Sequence, residues 1–308
     1  MKVLPCCSAS ARPLPPRPGL RSRLSAVLLV LPLFFLGASP GSAALVAHFP
    51  FNEGSGSTVN SSVGGWTGAL QGNPTWVTSG LAPVPGGTSA ALLFDGSIDR
   101  VMTDFAGIAG SGPRTVAMWV NTTTTAFGQG PLVSWGDSGT NGAKWHVRLN
   151  DNAGNGTVGA PRTEIQGSFI VSDTNVAGGD WTHLAFVYDG GGGFAGSGLV
   201  HHYVDGVLVG TSDAGSGAVN VNTTTSSTVS GNFTPVMIGG RIQTGSNQYF
   251  GGMIDDVRIY DHALGAAEVF ALAVPEPGRA VLLLGGLVLL TGRRRRHPPI
   301  SGRSSVPL

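Results

Sequence analysis

The alternation of apolar and polar residues in short runs, from Leu45 to about Ala273, constrains this fold more than any other feature. Successive side chains of a strand point to opposite faces, so a two-residue repeat is typical of strands with one buried face. Clusters of Gly, Asn, Asp, Ser and Thr, which favour turns, separate the runs. The predicted strands are Leu45–Phe51, Ala91–Phe94, Thr115–Asn121, Leu132–Trp135, Lys144–Leu149, Thr182–Tyr188, Leu199–Val204, Val207–Gly210, Val236–Ile238 and Met253–Tyr260. Short strands without an internal repeat predict one all-β antiparallel sandwich.

Three local features refine this prediction. Asp205-Gly206 lies between two apolar runs and has the composition of a type I′ hairpin turn. The segment His262–Leu272 is the one helical candidate, with Glu268 in its first turn. In the last predicted strand, strict alternation would place Val257 and Ile259 on one face, and on the other Ile254, Asp256, Arg258 and Tyr260.

The N-terminal residues have the pattern of an export signal. A leader containing four arginines precedes the apolar run Ala26–Ala38, and the small residues Gly41-Ser42-Ala43-Ala44 follow it. This order predicts a signal peptide over residues 1–43. Cys6 and Cys7 lie upstream of the apolar run and would be removed with it, so the mature chain would have no disulfide and no thiol chemistry.

Charge is distributed unevenly along the chain. Between residues 45 and 274, seven Lys and Arg stand against sixteen Asp and Glu, which gives this region a net charge of −9. An acidic domain of this kind argues against nucleic acid as a partner and favours cations or neutral polymers. The basic residues in excess belong to the N-terminal leader and to the C-terminal segment.

The C-terminal segment combines a turn, an apolar run and a basic cluster. Residues Pro275, Glu276 and Pro277 favour an extended, non-helical backbone, because proline bars helix continuation. The apolar run 280–292 has 13 residues, which as a helix spans only about 20 Å of a hydrocarbon core of about 30 Å. We expect a short, strained transmembrane helix whose basic end, the cluster Arg293, Arg294, Arg295 and Arg296, stays in the cytoplasm. Residues 297–308 would form a cytoplasmic tail, and a plain tail anchor is the alternative.

Five segments of the alternating region resemble, in order, those of LamG-like domains of the concanavalin A-like jelly-roll superfamily. They read LVAHFPFNEGSG from Leu45, ALLFDGSIDRV from Ala91, WTHLAFVYDG from Trp181, YVDGV from Tyr203 and GMIDDVRIYDHALGAAEV from Gly252. The resemblance implies a jelly-roll β-sandwich over residues 45–273, with the first strand near the last. It also implies a binding module for carbohydrate or adhesion, because many relatives act in that way.

The pattern Val-Pro-Glu-Pro, apolar run and arginine cluster over residues 274–296 resembles a PEP-CTERM sorting signal. The resemblance implies that an exosortase is a processing partner, and that it cuts near Pro-Glu-Pro. The protein would then be exported by a Gram-negative-type bacterium, anchored in the membrane by its C-terminal segment, and released to the cell surface or the extracellular matrix.

No enzyme class has positive support in the sequence. Glycoside hydrolases need two carboxylates across the scissile bond, and the domain has only three glutamates, Glu53, Glu164 and Glu268, none of them spaced with another acid for that chemistry. Trp66 and Trp76 lie among Gly and Asn in a loop-like region, where they are candidate sugar-stacking platforms, and packing against the core is the alternative.

Calcium is a candidate cofactor, because LamG-like relatives often bind it on loops at the rim of the sandwich, and a plain turn is the alternative. The candidate ligands Asp137, Asn141 and Asp151 are oxygen donors, although turns require the same residue types. The leading hypothesis is a non-catalytic surface or matrix module whose partner is a polysaccharide or a cell-surface glycan. A structural matrix protein without a specific ligand and a glycoside hydrolase are the alternatives.

Overall fold

The computed structural model describes residues 44–124, 130–165, 167–190, 198–213, 221–225, 233–241 and 248–274. Its strands are β1 (Leu45–Phe49), β2 (Thr58–Asn60), β3 (Thr67–Gln71), β4 (Thr75–Val77), β5 (Ala91–Asp95), β6 (Arg100–Thr103), β7 (Arg114–Asn121), β8 (Pro131–Asp137), β9 (Lys144–Leu149), β10 (Pro161–Ile165), β11 (Ser168–Val171), β12 (Thr182–Tyr188), β13 (Leu199–Val204), β14 (Val207–Asp213), β15 (Phe233–Ile238), β16 (Gly240–Arg241), β17 (Gln248–Tyr249) and β18 (Gly251–Tyr260). A short 3-10 helix covers Ala153–Asn155, and α1 covers Ala266–Ala273.

All ten predicted strands are present, with ends shifted by at most three residues. The predicted helix is α1, which begins later than expected because Gly265 is its N-cap and the Glu268 carboxylate accepts the Gly265 N–H at 2.7 Å. Eight short strands were not predicted. They have two to five residues, and several are rich in Thr and Gly or carry charges, so they lack a clear apolar repeat.

The strands form two antiparallel sheets that pack face to face, as the predicted sandwich requires. The first sheet has the order β14-β13-β12-β7-β18-β5-β4, and β1 also pairs with β18. The second sheet has the order β11-β10-β9-β8-β15-β6-β3-β2, while β16 and β17 form a separate ribbon. Pairing of the first strand with the last, which the resemblance implies, is confirmed.

The space between the sheets is a continuous apolar core. Trp135 and Trp145 are fully buried there, with ring centroids 6.2 Å apart, and Tyr188 packs 5.8 Å from the second indole. Burying one such aromatic side chain removes roughly 150–250 Å² from water. This burial stabilises a domain that contains no cysteine among residues 44–274.

The outer face of the first sheet is covered in two places. Val269 of α1 and Leu264, which precedes the helix, pack against Tyr203, Tyr260 and their apolar neighbours on this face. Elsewhere Ala82 and Val84, in the segment between β4 and β5, cover Trp119, and Trp181 packs beside them. The sheet is therefore buried on both faces over much of its area.

The prediction that side chains alternate strictly between the two faces along β18 is wrong. The register shifts between Asp255 and Arg258, and Asp256 adopts a left-handed φ of 52°. This bulge inserts one residue, so Ile254 faces the same core as Val257 and Ile259 instead of the opposite face. The hairpin prediction is confirmed, since Asp205 and Gly206 have φ angles of 49° and 77°, as a type I′ turn requires.

Two predicted segments lie outside the described residues: the signal peptide (1–43) and the C-terminal apolar run with its arginines. Within the residues that the structure describes, no helix combines the length and the apolar character needed to cross a membrane.

Candidate functional site

Long polar side chains converge on the outer face of the second sheet, at β9 and β10. The apolar residues of β9 enter the core, so alternation turns Lys144, His146 and Arg148 to the outer face. The antiparallel register sets Arg162 opposite Arg148 and Glu164 opposite His146. Two neighbouring strands thus bring one carboxylate among several basic groups.

Arg241 reaches the same place from a strand distant in sequence. Its strand β16 lies against β8, where the Ser134 hydroxyl donates to the Gly240 carbonyl at 3.2 Å. The Arg241 Nη1 atom is 3.2 Å from His146 Nδ1 and 3.6 Å from Glu164 Oε1. We call this group the Glu164 cluster, and its members are Lys144, His146, Arg148, Asp151, Arg162, Glu164 and Arg241.

The Glu164 carboxylate is the centre of the cluster. Its Oε1 atom is 2.6 Å from Lys144 Nζ, and its Oε2 atom is 3.1 Å from Arg148 Nη1 and 3.4 Å from Arg162 Nη2. Asp151 pairs with Arg148 Nη2 at 2.5 Å. Carboxylate–guanidinium contacts of this kind fix side-chain geometry as well as charge.

The cluster is buried, and this shifts the pKa values of its basic members and of Glu164. Burial lowers the pKa of Lys144 to about 8, and the nearby Glu164 only partly opposes the effect. Burial alone would raise the pKa of Glu164, but Lys144 and the arginines lower it to about 2. Glu164 is therefore ionised at neutral pH, while Lys144 titrates just above it.

His146 is fully buried, and desolvation together with Arg241 holds its pKa well below the ordinary value. Its Nδ1 atom accepts from the Arg241 guanidinium, so Nε2 carries the proton of the neutral ring. Three buried nitrogens of the cluster have no hydrogen-bond acceptor among the residues that the structure describes: His146 Nε2, Arg162 Nε and Arg241 Nε. The site thus presents N–H donors in excess of acceptors.

An aromatic ring borders the cluster at the edge of the sheet. The Arg162 guanidinium lies over the Phe169 ring, 3.9 Å from its centroid. Phe169, on β11, is 39% exposed, so one large apolar side chain is accessible beside the charges.

Trp66 and Trp76 have packing roles, which were the alternative to a stacking platform. Trp66 is half-buried, stacks on Phe105 with ring centroids 4.8 Å apart, and donates to the Val46 carbonyl at 3.0 Å. Trp76 belongs to β4, packs against the core, and donates to the Gly56 carbonyl at 2.9 Å. These contacts explain both indoles without a ligand, and the stacking role stays a prediction.

The candidate calcium ligands occupy two places. Asp137 is buried at the end of β8, where its carboxylate accepts the Gly139 N–H at 2.7 Å, and Asn141 is exposed in the same turn. Asp151 follows the opposite end of the β8–β9 hairpin and pairs with Arg148. Among the described residues, no group of three or more His, Cys, Asp or Glu is arranged to hold a metal.

The sorting residues Pro275, Glu276, Pro277 and Arg293–Arg296 lie outside the described residues.

A second polar network was not foreseen and connects β1 to the bulge of β18. His48 Nε2 is 2.7 Å from Asp256 Oδ1, Ser62 Oγ is 2.8 Å from His48 Nδ1, and Arg258 Nε is 2.9 Å from Asp256 Oδ2. Beside it, burial raises the pKa of the fully buried Asp255 to about 7.

Two adjoining depressions of about 310 and 350 Å³ lie farther along the first sheet and share Leu93, Phe94 and Asp95 in their walls.

Two antiparallel sheets packed face to face, with the first and last strands paired, define a jelly-roll sandwich of the concanavalin A-like class. The profile of the family Laminin_G_3, described as the concanavalin A-like lectin/glucanases superfamily, matches residues 95–270, and the chain belongs to this family. No curated protein matches the sequence.

Solved structures with the same fold include carbohydrate- and receptor-binding domains. Domain 4 of AbnA, a GH43 extracellular arabinanase from Geobacillus stearothermophilus in complex with arabinotriose, is 19% identical with a TM-score of 0.52, and the match covers 75% of this chain and 99% of that domain. The binding domain of Paraclostridial Mosquitocidal Protein 1 is 12% identical with a TM-score of 0.50, over 74% of this chain and 51% of that one. The botulinum neurotoxin serotype G binding domain is 12% identical with a TM-score of 0.50, over 75% of this chain and 50% of that one. The chain thus spans about half the length of the toxin domains.

Proposed function

We propose that this protein is a non-catalytic glycan-binding module, exported and held at the cell surface or in the extracellular matrix. The observation that carries the proposal is the concanavalin A-like lectin sandwich itself, with the partly exposed Phe169 ring on its edge strand β11 as an accessible aromatic group. Sugar sites combine fixed polar groups with an aromatic face. The arabinotriose complex of the arabinanase domain supports the same class of ligand for this fold.

The charge state of Glu164 favours binding over hydrolysis. A glycosidase needs one carboxylic acid that holds a proton near the working pH. Glu164 cannot supply it, because its pKa is about 2. Asp255 has a suitable pKa of about 7, but it is fully buried and no substrate reaches it in this structure.

Export and sorting form the second part of the proposal, and they are supported by sequence alone. The signal-like residues 1–43 would direct secretion, and the PEP-CTERM-like residues 274–296 would be cut by an exosortase near Pro277. Calcium at the turn of Asp137 and Asn141 would stabilise the rim of the sandwich without taking part in the Glu164 cluster.

Two experiments test these parts separately. A glycan array with the purified exported chain should show selective binding, and a lack of binding would favour a structural matrix protein.

Intact mass spectrometry of surface and culture fractions, with and without the exosortase gene, should show a chain that ends near Pro277 only when the enzyme is present. A chain that keeps residues 293–308 in the membrane fraction would instead identify a plain tail anchor.

A further inference from the structure

Exposed apolar side chains lie together where the domain ends and the C-terminal segment begins. Val207 and Leu208 follow the β13–β14 hairpin turn and are 61% and 50% exposed, and Phe270 of α1 is 52% exposed. The hairpin and the helix are in close contact here, because a Cβ at Gly206 would lie 2.9 Å from the Phe270 ring. Together with the exposed Ala271, these side chains form a surface that we call the end patch.

Clustering and the lack of cations distinguish the end patch from ordinary surface. Three of the six large apolar side chains that are exposed in the described part of the chain belong to it. Single exposed apolar residues are normal, whereas clustered ones mark interaction surfaces. No Lys or Arg occurs in Leu199–Asp213 or in α1. The nearby carboxylates of Asp205 and Glu268 accept backbone N–H groups at 2.9 and 2.7 Å. The attraction of the patch for a partner is therefore apolar and not electrostatic.

The position of the end patch along the chain indicates what covers it. The described domain ends at Val274, about 6 Å beyond Phe270 along the axis of α1. Residues 275–279 separate Val274 from the apolar run 280–292, and this spacer reaches only about 20 Å even when fully extended. When the apolar run enters a bilayer, Phe270 therefore cannot lie farther than about 25 Å from the point of entry.

The length of the apolar run favours still closer contact. As a helix, its 13 residues are about 10 Å shorter than the hydrocarbon core of a bilayer. A short transmembrane segment draws its flanking residues toward the lipid headgroups. On the domain side, the flanking residues are the spacer 275–279 and then α1. An apolar surface at this place becomes more stable when it is buried in the interface, in proportion to its area.

We propose that the end patch docks onto the phospholipid bilayer while the C-terminal segment is inserted, with Val207, Leu208 and Phe270 in the headgroup region. This inference rests on the proposed membrane-anchored state and adds a second contact to it. Docking would hold residues 275–277 beside the inserted run, where the proposed exosortase cut is made. After the cut only the patch would remain, and a membrane contact of that size is weak and reversible, so the domain would be released.

Single-cysteine labelling tests the docking with the exported chain, because residues 44–308 contain no cysteine. A nitroxide is attached at Ala271→Cys in the patch, or at Thr58→Cys as the control, since Thr58 is exposed on β2 at the far edge of the second sheet. Each protein is reconstituted into phosphatidylcholine vesicles. Paramagnetic resonance then measures collisions with a water-soluble nickel complex and with oxygen dissolved in the lipid. Relative to the control label, we expect about threefold fewer nickel collisions and about threefold more oxygen collisions at residue 271.

Polar variants locate the contact on both elements of the patch. The pair Val207→Ser with Leu208→Ser, and separately Phe270→Ser, should each raise the nickel collisions of the label at residue 271 about twofold. The matched control is Ile98→Ser, which removes an apolar side chain of similar exposure, 53%, from the turn after β5 and should leave the collisions unchanged. Thermal unfolding of each variant checks the fold. Shielding should persist at high salt and without phosphatidylglycerol, because the contact is apolar.

Vesicle flotation separates failure of the docking from failure of the anchor. An exported chain that does not float with the vesicles would overturn both. A chain that floats but shows equal nickel collisions at the two labels, or shielding that the polar variants do not reduce, would overturn the docking alone. Shielding that requires phosphatidylglycerol or disappears at high salt would also overturn it. The glycan array tests the binding part of the proposed function independently.

The oxygen measurement distinguishes lipid from protein as the cover of the patch. Fewer nickel collisions without additional oxygen collisions would mean that protein covers the end patch, which would overturn the inference. The cover would be a second copy if the shielding falls as the protein is diluted with lipid, and the chain's own apolar run 280–292 if it does not.

Discussion

Replacement of Glu164 by Gln should destabilise the domain more than the corresponding carboxylate-to-amide substitution at any other Asp or Glu of the second sheet. Glutamine keeps the size of the side chain but removes the charge that Lys144, Arg148, Arg162 and Arg241 share at 2.6–3.6 Å. The four cations would then repel one another in a buried place, where their charges are weakly screened.

The magnitude follows from linkage. The pKa of Glu164 is about 2 in the folded protein against an ordinary value of 4.5, and one pKa unit corresponds to about 1.4 kcal/mol. Because the folded pKa is depressed, this stabilisation is fully present above about pH 4.5 and is lost as the pH falls toward 2. We therefore expect Glu164→Gln to lower the free energy of unfolding by about 3 kcal/mol at pH 7, and by about half as much at pH 3.

Urea unfolding at pH 7 and pH 3, followed by tryptophan fluorescence, measures both values. The matched control is Glu53→Gln, since Glu53 accepts from Asn60 N–H through one oxygen that glutamine retains, and this change should cost less than about 0.5 kcal/mol. A loss below about 1 kcal/mol at pH 7, or an equal loss at both pH values, would refute the view that Glu164 holds the cluster together.

Three further predictions test other parts of the molecule. Asp255→Asn should flatten the pH dependence of thermal stability. Because the pKa of Asp255 is raised to about 7, the folded wild-type protein retains a proton that the unfolded chain releases, so wild-type stability falls as pH rises from about 4 to 7. Melting temperatures of both proteins at pH 5 and pH 7 check this. Trp66→Ala should lower the free energy of unfolding, measured by urea denaturation, by about 3 kcal/mol, because it removes the stack on Phe105 and leaves a cavity. A change below about 1 kcal/mol would instead support an exposed stacking platform. Removal of calcium with EDTA should lower the melting temperature of the wild-type protein but not that of Asp137→Asn, and identical shifts in both proteins would exclude this turn as the calcium site.

Local sequence predicts this fold well where strands are long and apolar on one face. Lys144–Leu149 matches its predicted bounds because its polar and apolar residues alternate without interruption, and Thr182–Tyr188 does so because turn-forming Gly and Asp residues bound its apolar run. The bulge at Asp256 escaped prediction, since a left-handed aspartate inside a strand has no signature in hydropathy, and it reversed the face assigned to Ile254.

The site was harder to predict for a different physical reason. The alternation of Lys144, His146 and Arg148 is visible in the sequence, but charges on the outer face of a sheet ordinarily lie in water. Their burial depends on the β9–β10 register and on Arg241, which follows β9 by more than ninety residues. Such convergence is a property of topology, and no local pattern reports it.

The net charge of the domain shows why an average misleads about partners. A value of −9 favours cations or neutral polymers when charges are taken as uniformly spread. The structure instead concentrates four of seven basic side chains at one buried place, with two carboxylates to balance them. Salt screens interactions beyond roughly 8–10 Å, so groups beside the cluster experience this local surplus and not the average charge of the domain. The average charge therefore describes approach from solution, whereas the local surplus governs the side-chain contacts at the Glu164 cluster.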